Sequence, residues 1–154
     1  MKTKRFTFRA ALIAGFFSLT IYSCTHTSPT VISEHGSMQS NSMNDNCMDC
    51  HKTAFSSGAF SVAGTVFKED LKTKYPNGTV LLFASKIGQK DSLLATVEVD
   101  GVGNFYTTHP IDLANGVYPA VQYGDVVKRM ESVTTNGACN SCHDGKTTDK
   151  IHVP

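Results

Sequence analysis

Residues 93–107, LLATVEVDGVGNFYT, decide the fold class. Leu93, Ala95, Val97 and Val99 alternate with Leu94, Thr96 and Glu98, the period of two that places one set of side chains on one face of a strand. Asp100-Gly101-Val102-Gly103-Asn104 follows, rich in the residues that close tight turns, and GNFYT resumes as a second strand. Working outward, the same grammar recurs. AFSVAGTVF (59–67) places Phe60, Val62 and Val66 at period two, TVLLFAS (79–85) is a short run of strand formers, and VYPAVQY (117–123) and 126–130 are further candidates. Pro76-Asn77-Gly78 and Asn115-Gly116 supply turns between them. No window sustains a 3.6-residue apolar period, so a mainly β fold is expected, a small antiparallel β-sandwich over about 59–133.

The chain has 154 residues and a formal net charge of +1, which suits one domain with appendages and gives no basic footprint for nucleic acid. The charge is unevenly placed: Lys2, Lys4, Arg5 and Arg9 precede any acidic residue, and the first acid is Glu34. Residues 10–22, AALIAGFFSLTIY, follow as an apolar run of 13, shorter than the roughly 20 residues that span a bilayer. Basic start and short apolar run together have the layout of a secretory signal over 1–23. Ile21-Tyr22-Ser23-Cys24 then resembles the lipobox of bacterial lipoproteins, with an aliphatic residue three before the cysteine and a small one just before it. Tyr22 is bulkier than that pattern usually carries. The resemblance implies cleavage before Cys24, lipidation there, and an exported chain anchored to a bacterial membrane, facing the periplasm or the cell surface. Several acyl chains anchor stably where a single one does not. Residues 24–46 are dominated by Ser, Thr and Asn and are expected to form a flexible tether, with His26, His35, Met38 and Met43 as solvated side chains.

Of the five cysteines, Cys24 is one and the other four form two pairs. Cys47-Met48-Asp49-Cys50-His51 and Cys139-Asn140-Ser141-Cys142-His143 are both C-x-x-C-H, the attachment signature of haem c. Two thiols add across the two vinyl groups of one porphyrin, and the adjoining histidine supplies a nitrogen to the iron. Three other uses of C-x-x-C compete. Zinc ribbons separate their pairs by about 15–20 residues, whereas 88 residues lie between Cys50 and Cys139. A thioredoxin-like site would need a βαβ context, and short disulfides would leave both histidines unexplained. The two motifs and the export signal resemble exported bacterial multihaem cytochromes c. That resemblance implies two covalently attached haem c groups, with His51 and His143 as proximal iron ligands, in a dihaem domain over 47–154. A looser resemblance, carried by Gly64-Thr65-Val66, Pro76-Asn77-Gly78-Thr79-Val80-Leu81-Leu82 and Val99-Asp100-Gly101-Val102-Gly103-Asn104-Phe105, is to transthyretin-like or carboxypeptidase regulatory-like β-sandwiches. It bears on fold and not on function.

For the opposite side of each iron, the candidates are His109, before Pro110 at a strand end, and His152, nine residues after His143. His35 is a weaker candidate, and Met130 is the thioether alternative, which would raise the potential. The charges around Lys68–Lys74 read as a solvated turn. The functional expectation is a membrane-anchored dihaem cytochrome that carries single electrons from a redox protein donor to an acceptor. No catalytic constellation is legible, so an enzyme is not expected. A small dihaem peroxidase or reductase would need an open iron face with an acid/base group beside it. A non-redox haem-bearing surface module is the third possibility.

Overall fold

The structure, a computed structural model, describes residues 31–38, 40, 44–52, 58–85 and 93–154. The segment expected to be a signal peptide (1–23), Cys24, His26 and Met43 lie outside the described residues. Each of the six segments read as extended contains a strand: β1 (Val62–Thr65), β2 (Thr79–Phe83), β3 (Leu93–Glu98), β4 (Asn104–Thr107), β5 (Tyr118–Tyr123) and β6 (Val126–Arg129). Among the described residues the only helical elements are two three-residue 3-10 turns, Cys47–Asp49 and Cys139–Ser141.

The chain is mainly β, with two antiparallel sheets. One has the order β3-β2-β5-β6 and the other pairs β1 with β4. Val62, Val66, Val80, Leu82, Val97, Val99, Phe105, Val121 and Val153 form one core cluster, so side chains from both sheets meet in a single interior. Burying each such side chain contributes about 1.5–3 kcal/mol. Period two holds in β2, where Val80 and Leu82 are buried while Thr79 and Leu81 are half-buried. It fails in β1, which is buried throughout, with Cys139 close to Gly64 and Asn140 bonded to Thr65.

The turn between β3 and β4 shows why its sequence is what it is. The Asp100 carboxylate is buried, and its Oδ1 accepts from the Val102 and Asn104 backbone N–H groups, both at 2.9 Å. Gly103 sits at φ +87, and a Cβ there would meet the Lys74 Cβ at 2.8 Å.

Part of the expected tether is docked on the sheet. Ile32 bridges Thr107. The buried Ser33 takes its hydrogen from the Tyr106 N–H and gives one to the Tyr106 carbonyl. His35 Nε2 donates to the Gly78 carbonyl at 2.9 Å, and the Gly36 N–H donates to Asn77 Oδ1 at 2.7 Å. Polar residues that cannot build a core can still satisfy the edge of an existing one, and here they pair with β4 and the turn before β2.

Candidate functional site

The C-terminal chain runs beside β1 and its continuation, and this places the second C-x-x-C-H. Ala63 N–H donates to the Gly137 carbonyl at 2.9 Å, and Ala63 and Ala138 form a parallel bridge. Further along, Phe67 N–H donates to the Ile151 carbonyl at 2.8 Å and Val153 N–H returns to the Phe67 carbonyl at 2.9 Å. Residues 139–150 therefore arch between two fixed points on one strand edge. Close approach is possible because residue 64 is glycine: a Cβ there would lie 3.0 Å from the Cys139 Cβ and 2.6 Å from the Phe105 ring.

Both motifs fold into the same local structure. In the first, the Cys50 and His51 N–H groups donate to the Cys47 carbonyl at 3.3 and 3.0 Å. In the second, the Cys142 and His143 N–H groups donate to the Cys139 carbonyl at 3.2 and 3.0 Å. Asn46 caps the first turn by accepting from the Met48 N–H. The four motif cysteines are thiols, and the short disulfides weighed above are not formed among them. No group of three or more His, Cys, Asp or Glu side chains converges among the described residues, so the ligand set of a zinc ribbon is not assembled. A haem iron asks less of the protein, because the porphyrin fills four positions and only axial ligands remain.

Each motif histidine is oriented by its other ring nitrogen. His143 Nδ1 lies 2.7 Å from the Asp149 carbonyl, and His51 Nδ1 lies 3.4 Å from the Gly58 carbonyl. A carbonyl only accepts, so Nδ1 carries the hydrogen in both rings. The neutral imidazole then presents the lone pair of Nε2, the state in which histidine binds a metal. His51 is also stacked on Phe60 (centroids 4.0 Å apart, planes 6° apart), and Phe60 on Tyr106 at 4.9 Å.

Beside the second motif lies a cavity of about 250 Å3. Val80, Phe105, Pro119, Ala138 and Ile151 form its apolar walls, and Cys139, Cys142 and His143 open onto it together with His152 and Met130. His152 Nδ1 donates to the Lys150 carbonyl at 3.0 Å, which leaves its Nε2 as an acceptor, met at 3.0 Å by Lys128 Nζ. The structure thus brings His152 and Met130 to the second motif. His109 is exposed on the loop after β4 and does not line this cavity. His35 spends its Nε2 on Gly78.

The leading cysteine of each motif is more enclosed than the second, Cys50 and Cys142 being exposed. Burial pushes Cys139 up to about 12, with the neighbouring Cys47 adding to the rise. Burial also raises Cys47, and the Asp45 charge raises it further. These surroundings fit haem c at the second motif: paired thiols beside an apolar cavity, with an Nε2 lone pair on the adjoining histidine.

Sequence reasoning did not single out Lys128, Asn140, Phe60 or the carbonyls of Gly58 and Asp149. For the two carbonyls a signal was present, since both motif histidines find their partner six or seven residues downstream. Lys128 comes from another hairpin, and nothing local marks it. Compared with known proteins, the chain matches no family model, no curated protein and no solved structure.

Proposed function

We propose that this chain is a dihaem c-type cytochrome that carries single electrons between redox proteins outside the cytoplasm, related to exported bacterial multihaem cytochromes c and held at a membrane by lipid on Cys24. The observation that carries the reading is the repetition: two C-x-x-C-H sequences take one turn geometry, each with a histidine whose Nδ1 donates to a carbonyl. Cys47 and Cys50 would hold one haem, with His51 supplying a nitrogen to its iron, and Cys139 and Cys142 would hold the other, with His143 in the same role. Haem c supplies an iron that alternates between ferric and ferrous states, taking one electron from a donor protein and passing it to an acceptor.

The chain's own residues do the positioning. The Asp149 and Gly58 carbonyls orient the histidines and raise their basicity as ligands. Val80, Phe105 and Ile151 exclude water from one side of the second site. His152, already carrying its hydrogen on Nδ1, would offer its Nε2 to a haem iron held at the second motif if Lys128 gave up that nitrogen, with Met130 as the competing side chain. His109 remains the candidate distal ligand for the first site.

Intact mass of the exported chain, with a haem stain on a denaturing gel, tests the central claim. Two covalent haems are expected, and a mass without them overturns the reading. Near-infrared magnetic circular dichroism tests the ligands: a methionine charge-transfer band at the second site would replace His152 by Met130.

A further inference from the structure

The first spacer residue of the second motif does more than separate two cysteines. Asn140 is 3% exposed, and its amide is fully used. Its Oδ1 accepts from the Thr65 N–H at 3.0 Å, and its Nδ2 donates to Thr65 Oγ1 at 3.1 Å and to the Asp45 carbonyl at 2.9 Å. That same Asp45 carbonyl is met at 3.7 Å by Cys47 Sγ, the first thiol of the other motif. Thr65 is tied to the first motif's approach as well, since its Oγ1 accepts from the Asn44 N–H at 3.1 Å and donates to Asn104 Oδ1 at 2.7 Å. A single buried amide therefore joins a strand of the core, the turn around Cys139 and the chain leading into Cys47.

A side chain chosen only to fill space here would be apolar. A buried amide left without partners costs about 1–3 kcal/mol. With every partner in place, by contrast, its orientation is specified, and so is the relation of the groups it joins.

We propose that Asn140 is a positioning residue that locks the two C-x-x-C-H turns in one relation, so that the two haems form an electronically coupled pair rather than two independent carriers. This rests on the reading that both motifs carry haem. Coupling between two sites is reciprocal: reducing one changes the reduction of the other by the same factor.

The test uses the full-length, matured chain. Two haems held rigidly close together give a bisignate circular dichroism couplet in the Soret band. That couplet is expected in the native protein and is lost in Asn140→Ala, with both haems still present by intact mass. Asn140→Asp keeps an acceptor for the Thr65 N–H but puts an oxygen against the Asp45 carbonyl. It is expected to lose the couplet too, and it decides the matter should Asn140→Ala fail to fold. Ser141→Ala, in the same motif but exposed, is expected to retain the couplet. A native chain with two haems and no couplet, or a couplet unchanged in both Asn140 variants, overturns the proposal. A native mass lacking haem would instead overturn the dihaem reading.

Discussion

The two C-x-x-C-H turns share a backbone and a histidine-to-carbonyl bond, and differ in what packs around them. The second is built into the core: Cys139 packs against Gly64, the chain on both sides is bonded to the edge of β1 and its continuation, and an apolar cavity opens beside it. Lys128, Arg129 and Lys150 line that cavity, so a carboxylate-bearing ligand would find cations there. The first turn has fewer supports. Its histidine has the longer contact, 3.4 Å against 2.7 Å, and is steadied by an aromatic stack. Asp45 and Asp49 flank it, and Asp49 pairs with Lys52 at 3.6 Å across exposed surface, an interaction of little energetic weight. The second motif is thus bonded directly along a core strand, and the first is joined to that strand through the side chains of Thr65 and Asn140. Equal sequence signatures do not imply equal energetic roles.

The largest effect should come from removing the motifs one at a time. Cys139→Ala/Cys142→Ala and Cys47→Ala/Cys50→Ala are each expected to lower the covalent haem content from two to one by intact mass. The stability cost should differ. Loss at the second motif leaves an apolar cavity open to water, and a penalty on the order of 2–5 kcal/mol is expected, as for a large core truncation. Loss at the first should cost less. Equal shifts in thermal midpoint would erase the distinction between the strand-bonded site and the side-chain-joined one.

Gly64→Ala probes the second site alone. The added methyl would lie 2.6 Å from the buried Phe105 ring and 3.0 Å from the Cys139 Cβ. Overpacking of this kind costs about 1–3 kcal/mol. The second haem's ligand-field bands should shift with those of the first unchanged, as read by magnetic circular dichroism. A shift at the first haem only would reverse the assignment.

How much of this was legible beforehand follows the range of the interactions. The strands were readable because their signal is local: period two in 93–99, and a turn at Asp100–Asn104 whose carboxylate caps its own backbone. The motifs were readable because the whole C-x-x-C-H signature lies within five residues. The site around them was not. Thr65 and Asn140 are 75 residues apart, and Lys128 and His152 are 24 apart. His109 and His152 looked alike as loop histidines near a strand or a motif. Only the pairing of 151–153 with Phe67 brings one of them to the second motif. The docking of residues 31–37 was equally hidden, since composition reports core-forming capacity and not the ability to satisfy an exposed edge.

Phe60→Leu should act on the first site in the same selective way. The stack of His51, Phe60 and Tyr106 contributes about 0.5–1.5 kcal/mol per aromatic pair beyond its area. Losing both pairs should lower stability by about 1–3 kcal/mol and broaden the low-spin electron paramagnetic resonance signal of the first haem, because the imidazole plane is no longer held. Phe60→Tyr should restore the native signal. A second-haem response to Phe60→Leu would show that the stack belongs to both sites.

The smallest effect belongs to a turn near the second site that touches no motif residue. Asp70 accepts from the Thr73 hydroxyl at 2.5 Å and from the Lys72 and Thr73 N–H groups at 2.9 and 2.7 Å, which lowers its carboxyl to about 2. An unfolded aspartate titrates near 3.9. Because the folded value is the lower one, its contribution is present above about pH 4 and disappears as pH falls through about 2. Asp70→Asn keeps an acceptor for the two N–H groups and removes the charge. The denaturation-midpoint difference between wild type and variant should be constant above pH 4 and shrink below it. Lys150 Nζ, one of the cations lining the second cavity, donates to the Leu71 carbonyl in this turn at 3.2 Å. If the turn serves only to hold that lysine, Asp70→Asn leaves the first haem's spectrum unchanged and moves the second's slightly. A pH-independent difference would mean that the carboxylate charge contributes nothing to holding the turn.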